Sequence, residues 1–133
     1  MDAKIGHLTV YVHDAPYSFT FYEKLFGYLG FKVVFNQDKI FAFTKDGFSF
    51  WFEEANELFQ KYGYHRKRIG LDNVTFYVNS KEDVDKFNKE FLVPYAIKPL
   101  YGSPRDFPEY SKGYYAVYFE DPDRIKLVVA YHT

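Results

Sequence analysis

The chain has 133 residues, and its 17 basic and 18 acidic side chains give a formal net charge of −1. This balance argues against nucleic acid as a partner. The absence of cysteine excludes disulfide bonds and thiolate metal sites. No stretch is apolar over the length of a bilayer and none has the pattern of a signal peptide, so we expect no membrane partner and a cytoplasmic location.

Aromatic residues are the unusual feature of the composition, since 16 Phe, 14 Tyr and one Trp make up 23% of the chain. A core built from Phe is one explanation. Tyr and Trp carry polar groups that need partners when they are buried, so they also fit a cavity for a flat or apolar ligand.

One structural pattern is repeated twice along the chain. Residues 6–12 read GHLTVYV, and residues 72–78 read DNVTFYV in the same register. Alternating apolar residues predict a strand at each place, and a helix and three further strands follow each of them. We therefore predict a single domain over residues 1–133, with module one at about residues 1–62 and module two at about residues 69–133.

In module one, Asp14 is the predicted N-cap of the helix, and Gly27 and Gly30 mark its end. Strands are predicted at residues 4–12, 31–35, 40–44 and 48–53, and a short helix at residues 56–63. Residues 65–68, HRKR, form a basic run. We interpret it as a solvated linker, with an anion contact as the alternative.

In module two, Ser80 is the predicted helix cap and Pro94 ends the helix. Strands are predicted at residues 71–78, 96–100, 113–119 and 125–131. Compared with module one, this module is longer near residues 101–112, a stretch rich in Pro and aromatic residues. Such a segment is either the rim or lid of a site or a plain connection.

Three segments together resemble a known family: GHLTV at residues 6–10, FYEKLFGYLGF at residues 21–31 and GYYAVYFEDPD at residues 113–123. The chain is similar over nearly its whole length to the glyoxalase / bleomycin-resistance / extradiol-dioxygenase superfamily, whose members have the vicinal oxygen chelate fold. The resemblance implies an α+β fold in which two βαβββ modules form a curved mixed sheet around a cavity. It also implies a homodimer.

The resemblance further implies a divalent metal held by one side chain from the first strand and one from the last strand of each module. At these positions the chain has His7, Trp51, Asn73 and Val128. Trp and Val cannot bind a metal, and an amide is a weak ligand. We therefore expect no cofactor; the alternative is one divalent metal ion bound by His7 and Glu53.

Polar and aromatic side chains share the strand faces that carry these positions, whereas apolar side chains occupy the opposite faces. The predicted ligand-binding residues are His7, Tyr11, Trp51, Glu53, Asn73, Tyr77, Tyr114 and Lys126. His7 and Glu53 are the candidates for a catalytic role, although the sequence does not decide whether the protein is an enzyme.

The favoured function is binding of a small aromatic or amphipathic molecule in the cavity where the two modules meet. The first alternative is a metal-dependent lyase or isomerase similar to lactoylglutathione lyase, or a dioxygenase-like enzyme. The second is a structural or regulatory dimer that binds no small molecule.

Overall fold

The computed structural model describes residues 1–133 and divides into two compact units, Met1–Gly63 and Tyr64–Thr133. Each unit contains one four-stranded mixed sheet with helical segments. The predicted α+β class is therefore confirmed. No helix has both the length and the apolar composition needed to cross a membrane.

The first unit begins with a strand and a long helix, and three strands and a short helix follow. The elements are β1 (His7–Val12), α1 (Ala15–Tyr28), β2 (Lys32–Gln37), β3 (Ile40–Lys45), β4 (Phe48–Glu54) and α2 (Glu57–Gln60). The strand order in the sheet is β1-β4-β3-β2, with β1 parallel to β4 and the other pairs antiparallel. The predicted strand–helix–three-strand order is confirmed in this unit.

Helix α1 begins where the sequence predicts, because the Asp14 carboxylate accepts a hydrogen bond from the Tyr17 backbone N–H at 2.9 Å. One face of the helix packs on the sheet through aromatic rings. The ring centroids of Tyr22 and Phe52 are 4.2 Å apart, and those of Phe26 and Phe43 are 5.0 Å apart. Each fully buried ring contributes roughly 1.5–3 kcal/mol of hydrophobic stabilisation. The Phe side chains that are so frequent in the sequence thus form much of the core of this unit.

The second unit repeats the order with a shorter helix that continues into a π-helical turn. The elements are β5 (Asn73–Tyr77), α3 (Lys81–Phe87), the π-helical turn (Asn88–Leu92), β6 (Leu100–Asp106), β7 (Tyr114–Glu120) and β8 (Lys126–His132). The sheet order is β5-β8-β7-β6, with β5 parallel to β8. The predicted cap is present, since Ser80 Oγ accepts from the Asp83 N–H at 3.1 Å. The ring centroids of Phe87 on α3 and Phe119 on β7 are 5.4 Å apart, so the helix covers one face of the sheet.

The strand predicted at residues 96–100 is wrong, and β6 occupies Leu100–Asp106 instead. Residues 97–99 are irregular, and Ala96 has a φ of 55° that a regular strand does not allow. The prediction failed because Pro104 made residues 101–106 resemble a loop. β6 lies at the edge of its sheet, where a residue without an N–H is tolerated.

Candidate functional site

In the first unit, the predicted site residues lie on the sheet face opposite helix α1. The register pairs Thr9 with Trp51 and Tyr11 with Glu53 across the parallel strands β1 and β4. The Trp51 side chain is half-buried, and its ring centroid lies 5.5 Å from that of Phe35 on β2. Trp51 is therefore an aromatic surface that is held in place and partly accessible.

His7 and Glu53 do not come together. His7 pairs with Ser49, four residues before Glu53 on the neighbouring strand. With a rise of about 3.3 Å per residue, the two Cα atoms are roughly 14 Å apart, too far for both side chains to bind one ion. His7 is exposed, whereas Glu53 is half-buried. If either residue acts in catalysis or metal binding, it acts without the other.

In the second unit, one row of side chains crosses the sheet from β5 to β7. Asn73 pairs with Lys126, and Lys126 pairs with Glu120. The Lys126 side chain is only 12% exposed, and its ammonium lies 3.0 Å from the Asp72 carboxylate. The same ammonium lies 5.7 Å from the ring centroids of Tyr101 and of Tyr118. Lys126 is therefore a partly buried cation that lies beside two adjacent aromatic rings, whose centroids are 5.4 Å apart.

A chain of hydrogen bonds fixes the groups beside Lys126. Asn73 Nδ2 donates to Asp72 at 2.7 Å, and Asn73 Oδ1 accepts from the Thr75 hydroxyl at 2.8 Å. The hydrogen bond from Asn73, and then the one from Lys126, lower the pKa of Asp72 below its usual value. Both polar atoms of the Asn73 side chain therefore have partners within the chain.

The basic run contributes a part-buried ion-pair network that sequence reasoning missed. Arg66 lies 2.7 Å from the Glu120 carboxylate and is 16% exposed, and Arg124 lies 3.2 Å from the same carboxylate. The hydrogen bond to Glu120 is the main cause of a raised Arg66 pKa, and Tyr101 adds to it. Arg66 is therefore not the solvated linker residue that the charge run suggested. Sequence reasoning missed this ion pair because Arg66 and Glu120 are more than 50 positions apart, and no local sequence pattern links them.

The middle of the same sheet face is covered by the chain itself. Phe107, just after β6, packs with Tyr118 and Val128, and the exposed fraction of each side chain is 6% or less. The ring centroids of Phe107 and Tyr118 are 5.0 Å apart. Burial raises the pKa of Tyr118 well above its usual range, and a hydrogen bond to the Tyr114 hydroxyl adds to this. The longer segment of the second unit, residues 101–112, thus supplies the aromatic side chain of Phe107, which covers this part of the sheet face.

The remaining predicted residues differ in accessibility. Tyr11 and Tyr77, which occupy matching positions on β1 and β5, are 64% and 70% exposed. Tyr114 is half-buried, with its ring centroid 6.4 Å from that of Phe107. Tyr11 and Tyr77 are therefore available for contacts, whereas Tyr114 belongs largely to the packed cluster.

The donor atoms do not fit the divalent metal site that the resemblance implies. No group of three His, Asp or Glu side chains converges anywhere in the chain. Of the four implied positions, Val128 is fully buried and has no donor atom, and Trp51 is packed beside Phe35. The Asn73 amide oxygen already accepts a hydrogen bond from Thr75. Of the four positions, only His7 has a side chain that is exposed and carries a nitrogen able to bind a metal.

Comparison with known proteins identifies the family. The family described as the Glyoxalase/Bleomycin resistance protein/Dioxygenase superfamily matches residues 4–129. The chain is 34% identical over 121 residues to the uncharacterized protein YqjT of Bacillus subtilis (strain 168), a match that covers 91% of this chain and 93% of YqjT.

Solved structures show the same architecture. A candidate glyoxalase from Bacillus halodurans superimposes with a TM-score of 0.87 and 28% identity, over 96% of this chain and 94% of that one. The fosfomycin resistance protein FosX of Listeria monocytogenes superimposes with a TM-score of 0.71 over 100% of this chain and 96% of its own. FosX is 19% identical and so supports the fold alone. From the family match and the resemblance of its motifs, the chain belongs to the Glyoxalase/Bleomycin resistance protein/Dioxygenase superfamily.

Proposed function

We propose that this protein binds a small aromatic or amphipathic organic molecule and does so without a divalent metal. One observation carries the proposal: the four strand positions at which the superfamily's metal-dependent members hold the ion provide one usable donor, His7. A hydrophobic side chain at Val128 and an indole at Trp51 cannot replace His or Glu as ligands. The same substitutions suit a surface that contacts an organic ligand.

Accessible aromatic groups support this proposal. Trp51 offers a half-buried indole fixed beside Phe35, and the phenol rings of Tyr11 and Tyr77 are exposed. Aromatic side chains provide large contact areas with little loss of conformational entropy. The proposed ligand-contacting residues are His7, Tyr11, Trp51, Glu53, Asn73, Tyr77, Tyr114 and Lys126. Homodimer formation and cytoplasmic location stay predictions, to be checked by light scattering and cell fractionation.

The single tryptophan makes the proposal testable, because all indole fluorescence of the protein comes from Trp51. We would titrate the protein with a panel of indoles, phenols, naphthalene derivatives and aromatic antibiotics, and measure Trp51 emission and thermal stability. A compound present at 100 times its Kd stabilises the folded protein by about 2.7 kcal/mol. We expect at least one compound class to give a saturable emission change and a matching rise in Tm.

A matched pair of variants separates specific from general effects. Trp51→Leu should weaken the thermal stabilisation by the same compounds. Tyr17→Ala removes a 67% exposed ring on helix α1, outside the proposed surface, and should leave both signals unchanged. Failure of the whole panel to change either signal would contradict the proposed function.

A further inference from the structure

We infer that the ligand carries a carboxylate, and that Lys126 binds this group in exchange for Asp72. The inference rests on the proposed function and specifies the class of molecule. It comes from the geometry around Lys126, which differs from that of a surface lysine. Three features support it: the fixed position of the ammonium, the accessibility of its present partner and the way in which the neighbouring charges are paired.

The Lys126 ammonium is held in position before any ligand arrives. Its side chain is 12% exposed, and the rings of Tyr101 and Tyr118 lie at the same distance, 5.7 Å, from the ammonium nitrogen. A flexible lysine loses side-chain entropy when it binds an anion, whereas a confined lysine has already lost most of it. Lys126 is therefore better prepared to bind an anion than an exposed lysine.

Asp72 is the replaceable partner of this pair. Its side chain is 56% exposed, and it lies just before β5, outside the strand. The Asp72 side chain can therefore move into solvent while the lysine stays beside the rings of Tyr101 and Tyr118. A ligand carboxylate would then meet the ammonium and the Asn73 amide, which now donates to Asp72 at 2.7 Å.

The ion pairs and a neighbouring ring at this site favour an aromatic anion. Arg66 and Arg124 pair with Glu120, and Lys126 pairs with Asp72. Glu120 is held by both guanidinium groups, so Asp72 is the carboxylate with the fewer cationic partners. Tyr101, which is 47% exposed, lies beside the ammonium and offers its ring to the apolar part of the ligand.

The test compares 2-naphthoate with its neutral analogue 2-naphthamide by isothermal titration calorimetry. We expect the wild-type protein to bind the carboxylate about tenfold more tightly or better, as is usual when a hydrogen bond to a charged group is gained. Lys126→Met should remove this preference. Asp72→Asn, which removes the competing carboxylate, should tighten naphthoate binding and leave naphthamide binding unchanged.

Controls keep folding and binding apart. Lys89→Met removes an exposed charge on the π-helical turn and should not change either affinity. If Lys126→Met does not fold, as judged by circular dichroism, the opposite shift expected for Asp72→Asn still tests the inference.

Equal binding of both compounds, or weaker naphthoate binding by Asp72→Asn, would overturn the inference and leave the proposed function standing. Absence of binding by these probes and by the whole panel would overturn both.

Discussion

The first stability prediction concerns Phe107, whose side chain covers the middle of one face of the second sheet. Its side chain is 1% exposed, its ring centroid lies 5.0 Å from that of Tyr118, and the Arg105 guanidinium carbon lies 3.8 Å above its ring. Substitution Phe107→Ala removes the ring from a packed cluster and leaves a cavity over Val128. Such truncations cost about 3–5 kcal/mol in protein cores.

We expect the lower end of that range, about 3 kcal/mol, because Phe107 lies just outside β6 and the neighbouring loop can partly collapse into the space. For a chain of this length such a loss lowers Tm by roughly 10 °C. The assay is urea unfolding followed by tryptophan fluorescence and circular dichroism, together with calorimetry.

The matched control is Tyr110→Ala, which removes a ring that stacks on Phe107 with a centroid distance of 5.8 Å but is itself 67% exposed. This variant should lose less than about 1 kcal/mol, as is usual for surface positions. A Phe107→Ala variant as stable as Tyr110→Ala would refute the conclusion that Phe107 fills this sheet face.

Two further predictions concern titratable groups. Glu54 accepts a hydrogen bond from the Ala15 N–H at 3.0 Å, which lowers its pKa below 4.5. Its ionised form therefore stabilises the fold above pH 4.5, and this contribution disappears as the pH falls through the lowered pKa. The stability difference between wild type and Glu54→Gln should shrink over that range in urea titrations; a constant difference would contradict the assignment. Burial, and next the hydrogen bond to Asp85, raise the pKa of Tyr115 to about 12. Asp85→Asn should lower this pKa while leaving it above 10, as measured by NMR of the tyrosine ring carbons; an unchanged value would exclude the Asp85 contribution.

Local features of the fold could be predicted because neighbouring residues determine them. Asp14 and Ser80 cap their helices through side-chain oxygens that reach N–H groups three residues ahead. Strand β6 was misplaced because Pro104 in an edge strand resembles a loop residue in the sequence. The alternation of strand faces correctly placed Trp51 opposite the helix-packed residues of its sheet.

The candidate site was less predictable, because its contacts join residues far apart in the chain. Lys126 meets Asp72 and Arg66 meets Glu120 across more than 50 intervening positions. Periodicity shows which face carries Lys126, but not which anion meets it. In the same way, the resemblance identified Val128 as the position of a lost metal ligand, whereas only the structure shows that aromatic packing closes over it.

Metal analysis tests the central claim most directly. The purified protein would be incubated separately with nickel, zinc, manganese and iron(II), dialysed, and analysed by elemental mass spectrometry beside a His7→Ala variant. We predict that neither protein retains a stoichiometric amount of any of these metals, and that both retain the same trace. One ion retained per wild-type chain and lost from His7→Ala would contradict the account and direct the search to metal-dependent lyase, isomerase and dioxygenase activities.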